Sequence, residues 1–247
     1  MKFNVVSYDI LTSTNDEAKR LAAEGAPEGT VVRAALQTAG RGRRGRSWQG
    51  AQGECLMCSL LLRPRLPAAD TSSWTLAAGL AISRALSHIA TRDIRVKWPN
   101  DIVADGKKLC GILSELHMNS DEVAYIVTGF GINAGQTAFD AEISGKAVSL
   151  RQLTGRAFVL DDVLDAVLAE LDAVYQQFLR NGFAALVDEY NGACVNTGAS
   201  VLLSGGVAGV ARGVDETGCL VVDAADGKCM RVPSGDVSVR AADGRYV

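Results

Sequence analysis

Between residues 40 and 46 the chain reads Gly-Arg-Gly-Arg-Arg-Gly-Arg, four arginines set among Gly40, Gly42 and Gly45. Guanidinium forks meet carboxylate and phosphate oxygens two at a time and keep their charge. Glycines let backbone approach a ligand and present N–H groups to it. The segment suits an anionic small molecule, and equally a patch that contacts RNA. A second concentration of polar groups is Lys97-Trp98-Pro99-Asn100-Asp101, followed by Lys107-Lys108-Leu109-Cys110-Gly111. The Pro-Asn-Asp turn presents an amide and a carboxylate together, and Lys108 follows on the partner strand. Gly111 lies within that strand, where glycine marks close approach of another group. A plain hairpin with exposed turn residues has the same pattern. The third is Gly129-Phe130-Gly131-Ile132-Asn133, glycines and an amide at a strand end, a weak signature of nucleotide contact.

These segments need elements to hold them. Thr14-Asn15-Asp16-Glu17 fits a capping box, with Thr14 as N-cap and Glu17 three residues on, and Gly25 ends the helix that follows. Strands are predicted over 30–36, 55–62, 94–98 and 124–132. A hairpin is predicted over 101–104 and 109–116 around Asp105-Gly106. Residues 37–53 are too rich in glycine and charge for regular structure. Helical periodicity runs through 71–89 and, more strongly, 161–179, where Val163, Leu164, Val167, Leu168, Leu171, Val174, Tyr175 and Phe178 share one face and Gly182 caps the end. From about residue 195 helical periods cease. Five short β segments (200–203, 207–214, 219–222, 228–232 and 237–239) alternate with glycine turns, the pattern of a small barrel.

The balance of 25 Lys plus Arg against 28 Asp plus Glu gives a net charge of −3, which disfavours a general nucleic-acid binder. Asp9 interrupts the N-terminal apolar stretch too early for a secretory signal. The longest uncharged run, 190–211, carries five glycines and is no membrane span. Without an export signal, the six cysteines are expected to be reduced thiols. Cys55 and Cys58 have CxxC spacing, but no second pair or nearby histidine completes a zinc site. Trp74 and Trp98 read as core, and His88 and His117 as surface or satisfied side chains rather than catalysts.

Taken in order, Ser13-Thr14-Asn15, residues 37–48, Lys97-Trp98-Pro99-Asn100-Asp101, Lys108-Leu109-Cys110-Gly111-Ile112-Leu113 and Gly131-Ile132-Asn133 resemble the biotin–protein ligases. The tail, ending in Ser234-Gly235-Asp236-Val237-Ser238-Val239-Arg240, resembles that family's C-terminal domain. The resemblance covers nearly the whole chain, and the combined set is far more specific than any one piece.

It implies an α+β fold: a mixed sheet with helices, class II synthetase-like, over 1–194, then a small SH3-like β-barrel over 195–247. It implies activation of biotin by ATP to biotinyl-5′-adenylate, then transfer to a lysine of biotin carboxyl carrier protein. Carried over by position, Ser13, Thr14, Asn15, Gln37, Gly40, Arg41, Gly42, Arg43, Lys108 and Gly111 line the biotin site. Arg43, Arg46, Trp48, Asn100, Asp101, Lys108 and Asn133 contact ATP, with Trp48 beside the adenine and Asp101 related to Mg²⁺. Lys108 and Arg43 carry the catalytic charge. Lys108 follows a turn, so its removal is expected to leave the fold intact. The family's regulatory members begin with a DNA-binding domain, whereas this chain starts at the first catalytic strand. No specific DNA partner, no membrane, a cytoplasmic location and a monomer or homodimer are therefore expected. Lipoate–protein ligase, and a non-catalytic RNA- or anion-binding protein, are the competing identities.

Overall fold

The computed structural model describes residues 1–119, 122–234, 239–243 and 246. Seven strands form the main sheet: β1 (Asn4–Leu11), β2 (Thr30–Gln37), β3 (Cys55–Leu62), β4 (Arg95–Lys97), β5 (Asp101–Ala104), β6 (Lys107–Asn119) and β7 (Glu122–Asn133). Their order is β1-β2-β3-β7-β6-β5-β4. Only β1 and β2 run parallel, and the other neighbours are antiparallel.

Side chains alternate across a strand, so each strand serves two faces. Val31, Leu60 and Ile126 face one core, filled by α3 (Trp74–Ala90) and α5 (Leu160–Asn181). Val32, Leu61 and Val127 face another, covered by Ala18 and Ala22 of α1 (Thr14–Ala23). Strand β3 is buried on both faces, which is why it reads as a continuous apolar run. Trp74 is core, edge-on to Tyr175 and Phe178, with its indole N–H donating to Thr128 Oγ1 at 2.8 Å. The predicted α5 stripe is buried throughout, and Gly182 ends the helix at φ 66°.

Two local expectations fail. Ser13, not Thr14, is the N-cap of α1, and its side chain makes no capping bond. The Thr14 hydroxyl turns to Gln37 and Ser59, while Glu17 accepts from Tyr8 and Arg20. The capping box forms at Ser149 and Gln152 instead, opening α4 (Leu150–Thr154). The predicted helix over 71–89 is two: α2 (Ala68–Thr71) and α3. Thr71 and Ser72 hydroxyls back-bond to Ala68 and Ala69 carbonyls, drawing the chain out of the helix between them.

After α6 (Val187–Ala193) come β8 (Ser200–Leu203), β9 (Ala208–Val214), β10 (Leu220–Ala224), β11 (Cys229–Val232) and β12 (Val239–Ala241). They form an antiparallel sheet in the order β11-β10-β9-β8-β12. The mixed sheet with helices is thus followed by a small β unit, as the sequence predicts. Residues 235–238, where the tail motif and the last predicted strand fall, lie outside the described residues. The buried residues of the small sheet belong to the same core as α3 and α5. Trp98 is core, and its indole N–H donates to Gly218 O at 3.1 Å while its backbone N–H donates to Asn196 Oδ1 at 2.9 Å. The small unit is therefore bonded to the Lys97–Asp101 turn, which places both beside the pocket.

Candidate active site

α1 covers only part of its face of the sheet. The rest of that face is floored by glycines. Gly111 on β6 pairs with Gly131 on β7, and Leu113 pairs with Gly129, so the three glycines share one face. Each is occupied from above. A Cβ on Gly129 would lie 2.0 Å from Asn15 Oδ1, and one on Gly131 would lie 2.3 Å from the Trp48 ring. On Gly111 it would meet both Lys108 and Trp48 at 3.0 Å. The sheet thus lacks side chains where the pocket needs depth.

At one end of the pocket the groups are neutral and buried. The Thr14 backbone N–H donates to Gln37 Oε1 at 2.7 Å, and its hydroxyl to the same oxygen at 3.2 Å. Ser59 Oγ lies 2.8 Å from Thr14 Oγ1 and 2.6 Å from Asn15 Oδ1. Asn15 Nδ2 donates to Leu113 O and, at 2.7 Å, to Glu115 Oε2. Ser13, Thr14, Asn15 and Ser59 are all buried. Because these groups hold one another, their positions are set before any ligand arrives.

At the other end the groups are charged. Lys108 Nζ lies 2.6 Å from Asp101 Oδ1. Tyr246 donates its hydroxyl hydrogen to Asp101 Oδ2, and the Lys97 ammonium sits 4.5 Å from the centre of the Tyr246 ring. Burial pushes the Asp101 carboxyl up, but the Lys108 charge and hydrogen bonds from Lys108 and Tyr246 outweigh it and hold the group below its usual range. Lys97 is 5% exposed and donates to Val239 O at 2.9 Å. Burial pushes its pKa down to about 8.

The arginine loop closes the top. It folds back on itself through an Arg41–Ser47 bridge, with Gly42 N–H donating to Arg46 O at 2.7 Å and Trp48 N–H to Gly40 O at 2.8 Å. The segment predicted to lack regular structure thus carries a bridge and one 3₁₀ turn, Arg43–Gly45. Arg44 holds φ 59°, an uncommon conformation for a residue with a Cβ. Arg41 reaches Asp16 at 2.6 Å and Glu115 at 3.1 Å. Arg43 donates to Asn100 Oδ1 at 3.0 Å and to Ser234 O at 2.6 Å. Asn100 in turn donates to Ile112 O at 2.8 Å. Trp48 lies over the floor with its indole N–H buried and, among the described residues, without a hydrogen-bond partner. The remaining cavity is about 150 Å³. That is below the roughly 300–1,000 Å³ of ligand sites, because Trp48 and the loop fill part of it.

Ser13, Thr14, Asn15, Gln37, Arg41, Gly42 and Arg43 line this one pocket, and so do Arg46, Trp48, Asn100, Asp101, Lys108 and Gly111. Gly40 lines the adjoining groove over the loop, where a Cβ would lie 2.4 Å from Trp48 O. Asn133 departs from its expected place at the nucleotide. It is buried behind the pocket wall, its Nδ2 donating to Val148 O and Lys108 O and its Oδ1 accepting from Gln136. It braces the backbone of Lys108 instead.

Asp101 also departs from expectation. Both of its oxygens are engaged, by Lys108 and Tyr246, so it is the partner of the lysine rather than an open cation ligand. Lys108 is correspondingly tied into the fold, contrary to the expectation from its place after a turn. Among the described residues no group of three or more His, Cys, Asp or Glu gathers to hold a metal. Cys55 and Cys58 are buried free thiols, with burial pushing Cys55 up to about 11, which suits packing rather than redox chemistry. Sequence reasoning passed over Ser59, whose signal was a lone hydroxyl in an apolar strand, and Tyr246, which left no signal.

One neutral hydrogen-bonding end and one cationic end fit a ligand with a neutral polar head and an anionic tail. Comparison with known proteins agrees. The profile of the Biotin/lipoate A/B protein ligase family matches residues 7–133, and that of the Biotin protein ligase C terminal domain matches 200–240. The bifunctional ligase/repressor BirA of Bacillus subtilis is 33% identical over 241 residues, covering 96% of this chain and 74% of that protein. The biotin--[acetyl-CoA-carboxylase] ligase of Mycobacterium tuberculosis is 34% identical over 234 residues, covering 91% and 85%. The structure of biotin protein ligase from Aquifex aeolicus in complex with biotin and ATP aligns with a TM-score of 0.84 at 29% identity, covering 97% of this chain and 99% of that one.

Proposed function

The chain belongs to the biotin/lipoate A/B protein ligase family, and from that premise we propose that its pocket joins biotin to ATP and passes the biotinyl group to one lysine of a biotin carboxyl carrier protein. In the first step a biotin carboxylate oxygen attacks the α-phosphorus, the bond to the bridging oxygen breaks, and pyrophosphate leaves. In the second the carrier amine attacks the anhydride carbonyl, loses a proton, and AMP departs. Neither step needs a nucleophile from the enzyme. The first needs two anions brought together and their repulsion offset, and the second needs the charge that develops on the carbonyl oxygen and the departing AMP offset.

The observation that carries this function is the division of the pocket into a neutral and a cationic end. Ser13, Thr14, Asn15 and Gln37 hold the ureido head of biotin, which both donates and accepts, and Ser59 behind them fixes Thr14 and Asn15. Gly111 lets the ligand lie against the sheet. Lys108 stands where carboxylate and α-phosphate meet, and its charge counts most as the two approach. Arg43 and Arg46 take phosphate oxygens, Arg43 retains the mixed anhydride, and Arg41 with Gly42 closes the loop over it. Trp48 lies beside the adenine, and Asn100 and Asp101 fix Arg43 and Lys108. An Mg²⁺ ion would arrive on the phosphates of ATP and would offset their charge there.

Lipoate carries a dithiolane head without hydrogen-bonding groups. It would offer nothing to the donor and acceptor capacity that this polar end keeps beyond its internal bonds, and each such group shut away from water without a partner costs about 1–3 kcal/mol. We assign 1–194 to the catalytic unit and 195–247 to the C-terminal domain, and place the protein in the cytoplasm with ATP and its carrier. Among the described residues no helix is long and apolar enough to cross a membrane. The test is biotin-dependent exchange of labelled pyrophosphate into ATP. Exchange is expected with biotin and not with lipoate; exchange with neither, or with lipoate alone, overturns the assignment.

A further inference from the structure

The Asp101–Lys108 pair has a third member from the far end of the chain. Tyr246 donates to Asp101 Oδ2 while Lys108 holds Oδ1, so the carboxylate is gripped from both sides. The Tyr246 ring lies under the Lys97 ammonium at 4.5 Å. Lys97 is itself bonded to Val239 O of β12. A carboxylate held by one oxygen alone rotates about its terminal torsion, which is broad and roughly two-fold. Held by both, it presents one fixed oxygen to Lys108. Val239, Arg240 and Tyr246 all line the pocket, so the end of the chain forms part of its wall.

We propose that Tyr246 is a positioning residue for the adenylation step, fixing the Asp101 carboxylate so that Lys108 is aimed into the pocket. It touches no reacting atom and acts through Asp101 alone. Burial and the Asp101 charge push the Tyr246 phenol up, so it stays a hydrogen donor throughout the neutral range. The proposal rests on the ligase activity assigned above.

Tyr246→Phe keeps the ring, its packing and its contact with Lys97, and removes only the donor. Single-turnover adenylate formation is expected to slow about five- to tenfold, a part of what a hydrogen bond to a charged group is worth. The biotin dissociation constant should stay near wild type, because the neutral end is untouched, and the melting temperature should fall modestly, because Asp101 loses one partner and keeps Lys108. In an Asp101→Asn background the same substitution should add no further loss. An unchanged rate overturns the proposal. So does a fall in biotin affinity alongside the rate, or an undiminished effect in the Asp101→Asn background.

A readout independent of turnover separates this from failure of the ligase assignment. In protein labelled with 3-fluorotyrosine, the resonance lost in Tyr246→Phe identifies Tyr246, and it should shift on Asp101→Asn. A resonance that does not move removes the contact, and with it the proposal, whatever the enzyme does. Absence of biotin-dependent exchange in the wild-type chain instead sinks the ligase assignment while the resonance still reports on the contact.

Discussion

The two ends of the pocket are built on opposite principles. At the neutral end, Thr14, Asn15, Gln37 and Ser59 bond one another, come from α1, β2 and β3, and are backed by β6 through Leu113 O and Glu115. At the charged end, Arg41, Arg43, Arg46 and Trp48 ride on a loop, and Lys108 and Asp101 are completed by a tail 145 residues away in sequence. The difference follows from the ligands each end must take. A neutral head is recognised by matching donors and acceptors, so the groups gain from being fixed in advance. Anions that arrive, react and leave need charges that can reach and release them. A loop of alternating glycine and arginine supplies that at the cost of ordering it on each cycle.

The largest effect should come from the charged end. Lys108→Ala should lower single-turnover adenylation by about 10²–10³, the usual loss when one preorganised charge is removed from a developing anion. Lys108 is also the partner of half-buried Asp101, so stability should fall, by about 1–3 kcal/mol. Arginine should rescue poorly because its planar fork cannot take the place of a compact ammonium. Adenylation near wild type would show that the charged end does not act through this lysine.

The two ends can be perturbed from the same strand. Gly129 and Gly131 lie two residues apart on one face of β7, the first under Asn15 and the second under Trp48. Gly129→Ala must expel Asn15 from a bonded network. Biotin affinity measured by calorimetry without ATP should fall at least about tenfold, and stability by about 1–3 kcal/mol. Gly131→Ala must displace Trp48, but Trp48 sits on a loop that can yield, so biotin affinity and stability should change much less. Equal losses in the two variants would mean that the ends do not differ in rigidity.

The charged end was the more legible in sequence, because its signals are local. Glycine, arginine and proline crowd into 40–48 and 97–101, and such crowding has few structural explanations. The neutral end was partly misread for a physical reason. Thr14 and Glu17 carry the residue types of a capping box, but Gln37 and Ser59 offered Thr14 tertiary partners that outcompeted the helix end. Asn133 was placed at the nucleotide because it ends a glycine-bearing strand. The segment from Gln136 to Val148 has no periodic pattern to announce itself, yet it folds over Asn133 and takes both ends of its amide. Tyr246 could not be found by pattern at all, since its partner Asp101 is adjacent only in the folded chain.

The loop itself provides a smaller test. Arg41 is tied to Asp16 and Glu115, but Arg41 is 41% exposed, and such pairs contribute only about 0–1 kcal/mol. Arg44 in the left-handed region further disfavours this arrangement. Trypsin should therefore cut within 40–48 readily, and biotin with ATP should slow cleavage severalfold. Unchanged cutting rates with both ligands present would show that the loop does not close on them. Biotin alone should protect less, since it fills chiefly the neutral end.

The smallest expected effect is a pH dependence that belongs to the charged end alone. Lys97 is buried, and burial lowers its pKa from 10.5 to about 8. In the unfolded chain the same ammonium titrates near its ordinary value. Between about 8 and 10.5 the unfolded state thus binds the extra proton, and stability rises with pH across that window. Below 8 both states are protonated and the cost of burying the charge is constant. The thiols of Cys55, Cys58 and Cys110 and, above 10, the phenols of Tyr175 and Tyr246, all raised by burial, act in the opposite sense, but wild type and variant share them, so they cancel in the difference between the two. Lys97→Met removes the titrating group and keeps most of the side-chain volume, though it forfeits the bond to Val239 O. Urea unfolding of both proteins at pH 7.5 and 9.5 should show wild type gaining on the variant by about 1 kcal/mol, within the limit of roughly 1.4 kcal/mol per pH unit for one proton. Parallel profiles would mean that Lys97 does not carry a buried charge. The matching control at the neutral end, Ser59→Ala, removes no titrating group, and its stability difference from wild type should be the same at both pH values.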